Sequence, residues 1–358
     1  MSSDHTLVAS EWLLYCRPGL EFDLLAELGD RLGDSAVDRV ADLLTGYVRV
    51  VSLDDTALND LQRQIALETL VFARQSLVAL PPLEHLDRTD RLRAVVDQVM
   101  AAGWSMEEVV FDAPDTNEGK ALAGLAKALR RPLESQLKKR KALRRRAGAR
   151  RLHVFLTSGE SLQLGLSFKG NRSEFPNGIQ HLRFPRQAPS RSTLKLEEAW
   201  HQFIPAERWE SILAPGSTAA DLGAAPGGWT WQLVNKGMQV YAIDNGPMDK
   251  ALMRSGMVEH LREDGLKWLP DHALDWLVCD MVERPSRVVD TIATWLVGHY
   301  CHYAIFNLKL PMRKRWEEVA NCLDRLKAHL DEAGETYHLR CRQLYHDREE
   351  VTVYVELQ

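Results

Sequence analysis

Apolar positions follow two different rhythms along the chain. In the first half, EWLLYC (11–16) reads as a strand, 19–31 as an amphipathic helix and GYVRVVSL (46–53) as a second strand, a compact βαβ-like start. Helical spacing recurs over 58–70 and 90–102, and MEEVVFDA (106–113) has the composition of a strand. A long basic helix is expected from about 119 to 143. RLHVFLTSGESLQLGLSF (151–168) predicts a hairpin turning at Ser158 and Gly159. Between 169 and 190 the pattern dissolves into Gly, Asn, Pro and Arg, with Pro176, Pro185 and Pro189, which marks a domain boundary.

Beyond it, strand-like runs at 218–223, 239–244, 274–280 and 303–309 alternate with helical stretches beginning near Trp229, Met248, Ser286 and Arg313. Such alternation predicts a largely parallel α/β sheet with helices on both faces. The last two β-rich runs, 336–345 and 350–357, have no helix between them and are expected to pair antiparallel at the sheet edge.

Composition narrows the class without changing the picture. A chain of 358 residues, 45% hydrophobic and 27% charged, suits two or three globular domains. No apolar run approaches the length of a membrane span, and residues 1–10 lack the basic-then-apolar order of a secretion signal. Five scattered cysteines, never spaced C-x-x-C, argue against disulfides and against zinc, so no metal is expected and the cytoplasm is the default compartment. Charge does change the picture, through its distribution. Net charge is −5, yet KKRKALRRRAGARR (138–151) carries nine basic residues and no acidic one, a local positive field.

The sharpest motif is TAADLGAAPGGWTWQL (218–233). An apolar strand ends at Asp221, a loop carries Gly223, Ala225, Pro226, Gly227 and Gly228, and a helix opens at Trp229. Glycines there let the backbone approach a ligand, and a helix N-terminus offers free N–H groups. Asp244, ending the second strand in YAIDNG, has the position of the acid that holds ribose hydroxyls, and Asp264 in REDG is placed to meet an adenine amino group. The loop does not match G-x-G-x-x-G, since its third position is Ala225. S-adenosylmethionine is therefore expected rather than a nicotinamide.

DLGAAPGG resembles the cofactor loop of the fibrillarin- and FtsJ-type ribose methyltransferases. That resemblance implies a Lys–Asp–Lys–Glu tetrad: Lys195 in SRSTLKLEEA, Asp280 in CDM, Lys309 in FNLKLP and Glu350 in DREEVTVYV. A ribose 2′-hydroxyl is a weak acid, and a lysine can assist as an amine base or as a cation beside the forming alkoxide. Neighbouring carboxylates oppose a depressed lysine pKa, so the two roles pull apart. Lys309 is assigned the base or alkoxide-stabilising role, Asp280 a place beside it near the cofactor, and Lys195 and Glu350 the positioning of the ribose.

Longer stretches narrow the resemblance. LLYCRPGLEFDLLAEL, FARQ (72–75), DTNEGK (115–120), FPRQAPSRSTLKLEEA (184–199), DNGPM (244–248), NLKLPM (307–312) and LYHDREEVTVYV (344–355) resemble the ribosomal RNA large subunit methyltransferase M family over essentially the whole chain. The resemblance implies 2′-O-methylation of a cytidine in the peptidyl-transferase region of 23S ribosomal RNA. It also implies a Rossmann-like doubly wound catalytic sheet with a terminal antiparallel hairpin, preceded by an α+β region containing a THUMP RNA-binding domain. Divided accordingly, 1–54 is a ferredoxin-like part, 55–170 the THUMP domain, 171–190 a linker and 191–358 the methyltransferase domain. Ser192 joins the cofactor contacts, and Ala225 stands where the family carries cysteine. Lys138, Lys139, Arg140, Lys141, Arg144, Arg145 and Arg146 become the electrostatic docking surface for RNA. No obligate protein partner is implied. Two other readings are base methylation of RNA, disfavoured by CDMVERP where an N-P-P-Y-type motif is usual, and a non-catalytic assembly protein, disfavoured by the intact tetrad and loop.

Overall fold

A computed structural model describes residues 11–32, 40–51 and 65–358. The chain forms two compact units, Met1–Gln180 and His181–Gln358, each built on a seven-stranded sheet.

In the first unit the strands are β1 (Glu11–Tyr15), β2 (Val40–Leu44), β3 (Tyr47–Val51), β4 (Gln75–Ala79), β5 (Glu108–Asp112), β6 (Arg150–Leu156) and β7 (Leu162–Phe168). Their order is β2-β3-β1-β4-β7-β6-β5, antiparallel throughout except for the parallel pair β5–β6. The helices Glu21–Leu32 and Arg91–Ala101 and the hairpin β6–β7 lie where the sequence places them. β2 and β4 were not anticipated. β4 is buried at every position and so shows no polar alternation to reveal it. The helix expected over 58–70 lies largely outside the described residues, and its remainder holds only a 3₁₀ turn at Leu67–Thr69.

The long basic helix is shorter than expected and split into Asn117–Ala121 and Ala123–Lys139. Its end has a packing cause. Ala142 and Leu143 are buried in the core, and the Met106 N–H donates to the Ala142 carbonyl at 2.9 Å. A helix continued through KALRRR would swing these two residues off the core. Instead the chain reverses at Lys141, with φ of 59°. The proline-bearing stretch after β7 is also more ordered than a tether. Asn171 accepts from the Leu67 N–H at 2.6 Å, and the Asn177 N–H donates to Asp112 at 3.0 Å.

The second unit contains β8 (Thr218–Leu222), β9 (Gln239–Ile243), β10 (Val258–Leu261), β11 (Leu274–Cys279), β12 (Cys301–Lys309), β13 (Tyr337–Arg342) and β14 (Glu350–Leu357). The order is β10-β9-β8-β11-β12-β14-β13. The first five are parallel, and β14 runs antiparallel to both of its neighbours. The terminal hairpin forms as expected, but its second strand inserts beside β12 and leaves β13 at the edge. From β8 the chain steps to β9 and β10 on one side; from β11 it steps to β12 on the other. Right-handed crossovers therefore put the intervening helices on opposite faces, giving the doubly wound Rossmann-like arrangement. The helices Thr193–Phe203 and Gly228–Asn235 bury Leu196, Trp200, Trp229 and Leu233 against Ala219, Val240, Trp276 and Val278. The order reverses between β8 and β11, where ligands of such sheets sit beyond the carboxyl ends of the strands.

Candidate active site

Two strand ends and one strand start meet at that edge. Asp280 follows the last residue of β11, Lys309 is the last residue of β12, and Glu350, the first of β14, is the register partner of Lys309. Lys195 comes from the helix Thr193–Phe203. The four side chains close into a ring of alternating charge. Lys195 Nζ lies 3.1 Å from Asp280 Oδ2 and in contact with Glu350. Lys309 Nζ lies 2.8 Å from Asp280 Oδ1 and is also paired with Glu350. Two ammonium groups and two carboxylates balance, which lets the set be largely buried. Side-chain exposure is 14% for Lys195 and Asp280, 5% for Glu350 and 26% for Lys309. Lys309 is the most exposed corner of the ring.

Burial opposes charge on both Lys309 and Asp280, but the partners prevail. Asp280 and Glu350 hold the Lys309 ammonium above the ordinary lysine range, and Lys195 and Lys309 hold the Asp280 carboxyl below its own. Of the two roles open to Lys309, the geometry favours the cation over the free amine.

Asp280 also lines a cavity of about 390 Å³. Of the residues predicted to hold a cofactor, Gly223, Ala225, Asp244 and Asp264 line the same cavity. Asp244 braces the loop, its two oxygens accepting from the N–H groups of Ala225 at 3.0 Å and Gly246 at 2.6 Å. Gly223, with φ of +78°, adopts a conformation that L side chains rarely take, and a Cβ there would run into Met281. Glu263 and Glu283, with Met281 and Val282, also line it and were not singled out from the sequence. Five carboxylates around one cavity suit a ligand bearing positive charge.

The remaining predicted cofactor residues, Ser192, Asp221, Pro226, Gly227, Gly228 and Trp229, are not among those lining the cavity. Asp221 is 1% exposed and accepts from the Thr230 hydroxyl at 2.6 Å. Burial pushes its pKa up to about 7, with the charges of Asp280 and Asp244 adding to the effect. Trp229 is a core residue whose indole donates to the Ser192 carbonyl at 3.0 Å. The Thr193 hydroxyl donates to the Gly228 carbonyl at 2.8 Å. A Cβ on Gly228 would collide with Ser192 Oγ. These bonds stitch the segment carrying Lys195 to the helix that follows the loop.

Asn307 and Thr352 are further site residues that the sequence reading missed. The Asn307 amide donates to Asp280 Oδ1 at 2.9 Å, and Thr352 donates to the Asn307 carbonyl at 2.8 Å. Period-two spacing from Lys309 and Glu350 is the signal that would have found them. In the first unit, Lys138, Lys139, Arg140, Lys141, Arg144, Arg145 and Arg146 are all exposed, on the last turn of the helix Ala123–Lys139 and the loop beyond it. Among the described residues no group of His, Cys, Asp and Glu is arranged to hold a metal ion, and no helix is long and apolar enough to cross a membrane.

Comparison with known proteins accounts for nearly all of the chain. Residues 188–326 match the FtsJ-like methyltransferase family, 90–168 the N-terminal part of ribosomal RNA large subunit methyltransferase M, and 9–77 the RlmM ferredoxin-like domain. A ribosomal RNA large subunit methyltransferase M from Chromohalobacter salexigens is 63% identical over 347 residues, covering 96% of this chain and 97% of the relative. Those of Marinomonas sp. and Proteus mirabilis are 46% and 44% identical, covering 95% and 96% of this chain and 97% and 95% of their own. Among solved structures, TrmN from Thermus thermophilus aligns over 97% of this chain and 100% of its own at 16% identity, with a TM-score of only 0.36.

Proposed function

The chain belongs to the ribosomal RNA large subunit methyltransferase M family, and on that basis we propose that it methylates 23S ribosomal RNA from S-adenosylmethionine, at the ribose 2′-hydroxyl of a cytidine in the peptidyl-transferase region. The observation that carries the reaction type is the ring Lys195–Asp280–Lys309–Glu350 with its exposed corner at Lys309, sharing Asp280 with the adjoining cavity.

S-adenosylmethionine supplies an electrophilic methyl group on a sulfonium, and its net positive charge suits the acidic cavity. Asp244 has lone pairs left on both oxygens to accept the ribose hydroxyls, and Asp264 is available to the adenine amino group. Ser192, Asp221, Gly227, Gly228 and Trp229 act from behind, by fixing the loop. Lys309 faces the acceptor hydroxyl and stabilises the negative charge that develops on its oxygen as the proton leaves. Asp280 and Glu350 keep Lys309 charged and aimed, and Lys195 completes the balance. Alignment of hydroxyl and methyl accounts for much of the acceleration.

Cys279, the cysteine directly before Asp280, is fully buried, and burial pushes its pKa up to about 12. A thiol so held is a poor nucleophile, which counts against a cysteine-dependent base methylation. In the first unit, a THUMP-type RNA-binding role for the region before 170 gives the exposed basic stretch its purpose: backbone phosphate contacts that add affinity without reading sequence.

Methylated 23S RNA tests the reading directly. A 2′-O-methyl group blocks the alkaline cleavage that needs a free 2′-hydroxyl. Treated RNA should show a single gap in the alkaline ladder, at a cytidine; an unbroken ladder with methyl incorporated would place the modification on a base.

A further inference from the structure

Beneath the charged ring lies a second set of polar groups that the reaction as described does not use. Lys309 pairs in register with Glu350, and two residues further along each strand Asn307 pairs with Thr352. Alternate residues share a face, so both cross-strand pairs stand on the same side of the sheet. Asn307 and Thr352 are each 0% exposed, and Asp347 is 1% exposed. Asn307 Nδ2 donates to Asp280 Oδ1 at 2.9 Å. Thr352 Oγ1 lies 2.8 Å from Asn307 Oδ1 and 2.9 Å from Asp347 Oδ2.

Proton counting orders the bonds in this chain. The amide of Asn307 must turn its NH₂ toward Asp280, because its oxygen would otherwise face a carboxylate. Its oxygen then faces Thr352, whose single hydroxyl proton must be donated to it. That proton is no longer available for Asp347. The 2.9 Å contact between Thr352 and Asp347 is then a full two-centre hydrogen bond when Asp347 supplies the proton, from the Oδ2 that also accepts the Leu344 N–H at 3.0 Å.

We propose that Asp347, Thr352 and Asn307 form an uncharged brace, with Asp347 protonated, that fixes the Asp280 carboxylate for methyl transfer. Burial and the nearby charges of Glu350 and Glu198 favour the protonated acid, outweighing the Leu344 N–H and the charge of Lys195. The brace orders donor to acceptor from Asp347 to Thr352, Thr352 to Asn307 and Asn307 to Asp280. It gives Asp280 Oδ1, which Lys309 also contacts, an uncharged donor besides the lysines, so that the carboxylate stays at the cavity wall while the lysines respond to the acceptor. Asn307, Thr352 and Asp347 are positioning residues: each acts through Asp280. The brace rests on the proposed methyl transfer, since only that reaction gives Asp280 its task.

The test is a comparison of Thr352→Val, which keeps the shape and removes the hydroxyl, with Thr352→Ser, which keeps the hydroxyl. Losing the hydroxyl that holds the Asn307 amide turned toward Asp280 is expected to lower kcat roughly ten- to a hundredfold in the valine variant. KM for S-adenosylmethionine should stay within about threefold of wild type, and the serine variant should recover most of kcat. Difference infrared spectra of wild type against Asp347→Asn should contain the carbonyl stretch of a protonated carboxylic acid at neutral pH. Wild-type kcat in folded Thr352→Val, no recovery in Thr352→Ser, or a carboxylate band in place of the acid band would each overturn the brace. Absence of methyl transfer by wild type would instead overturn the reaction on which it rests.

Discussion

Removing the Lys309 ammonium leaves two carboxylates, Asp280 and Glu350, sharing the single charge of Lys195. Truncating one partner of a fully buried ion pair costs about 3–5 kcal/mol. Lys309 is 26% exposed, so water takes up part of the uncompensated charge, and about 1–3 kcal/mol of stability is the expected loss in Lys309→Ala. For a folding unit of this size that lowers the melting temperature by roughly 2–12 °C. The effect on rate should be larger. Loss of the group that stabilises the forming alkoxide predicts a fall in kcat of about 10²–10⁴-fold. Because Lys309 does not line the cofactor cavity, the dissociation constant for S-adenosylmethionine should hardly move. Single-turnover methyl transfer, calorimetric cofactor titration and a melting curve on one preparation separate the three quantities. A folded variant with kcat within tenfold of wild type would refute the role given to Lys309. Equal losses in kcat and cofactor affinity would move the residue to the cofactor.

Other expectations follow from the same geometry. Asp221 has a raised pKa of about 7 against an ordinary 3.8, so its contribution to stability is full below about pH 4 and is lost as the pH rises through 7. Asp221→Asn, which cannot ionise, should therefore gain stability relative to wild type as the pH rises from 5 to 7, by about 2–3 kcal/mol, read as a widening difference in melting temperature; a difference independent of pH would contradict it. Gly228→Ala drives a methyl group against Ser192 Oγ and to 3.2 Å from the Thr193 nitrogen, so the stitched segments must part and cofactor binding should weaken about tenfold; unchanged calorimetric affinity would argue against the stitched loop. Replacing Lys141, Arg144 and Arg145 by Ala should weaken RNA binding and reduce the salt slope by roughly one per lost phosphate contact, with no change in cofactor affinity; an unaltered slope would remove the basic stretch from the RNA interface.

Most of the second sheet was legible because four of its five parallel strands are short apolar runs ending in chemistry: Asp221, Asp244, Asp280 and Lys309 all fall at or close to a strand's carboxyl end, whereas β10, with the polar sequence VEHL, gave no such run. The grouping of Lys195, Asp280, Lys309 and Glu350 came from resemblance, and the structure brings Lys195 and Glu350 to the strand ends from a helix and from an antiparallel strand. What local pattern concealed was mostly non-local in cause. β4 is buried on both faces and offers no alternation. The basic helix ends at Lys139 because Ala142 and Leu143 are claimed by a distant core, which periodicity within the helix cannot reveal. Asn307 takes its meaning from Thr352, 45 positions away, so only the register of β12 on β14 exposes it. Asp221 was assigned to the cofactor with its neighbours, whereas its carboxylate turns inward to Thr230.

The account rests most heavily on the acceptor atom. Unmodified 23S RNA incubated with the protein and methyl-labelled S-adenosylmethionine should be digested to nucleosides and the labelled product identified by chromatography and mass spectrometry. Label on the ribose of cytidine, strongly reduced with Lys309→Ala while cofactor binding persists, is the predicted result. Label on a nucleobase would contradict the reading of the tetrad, whatever the yield.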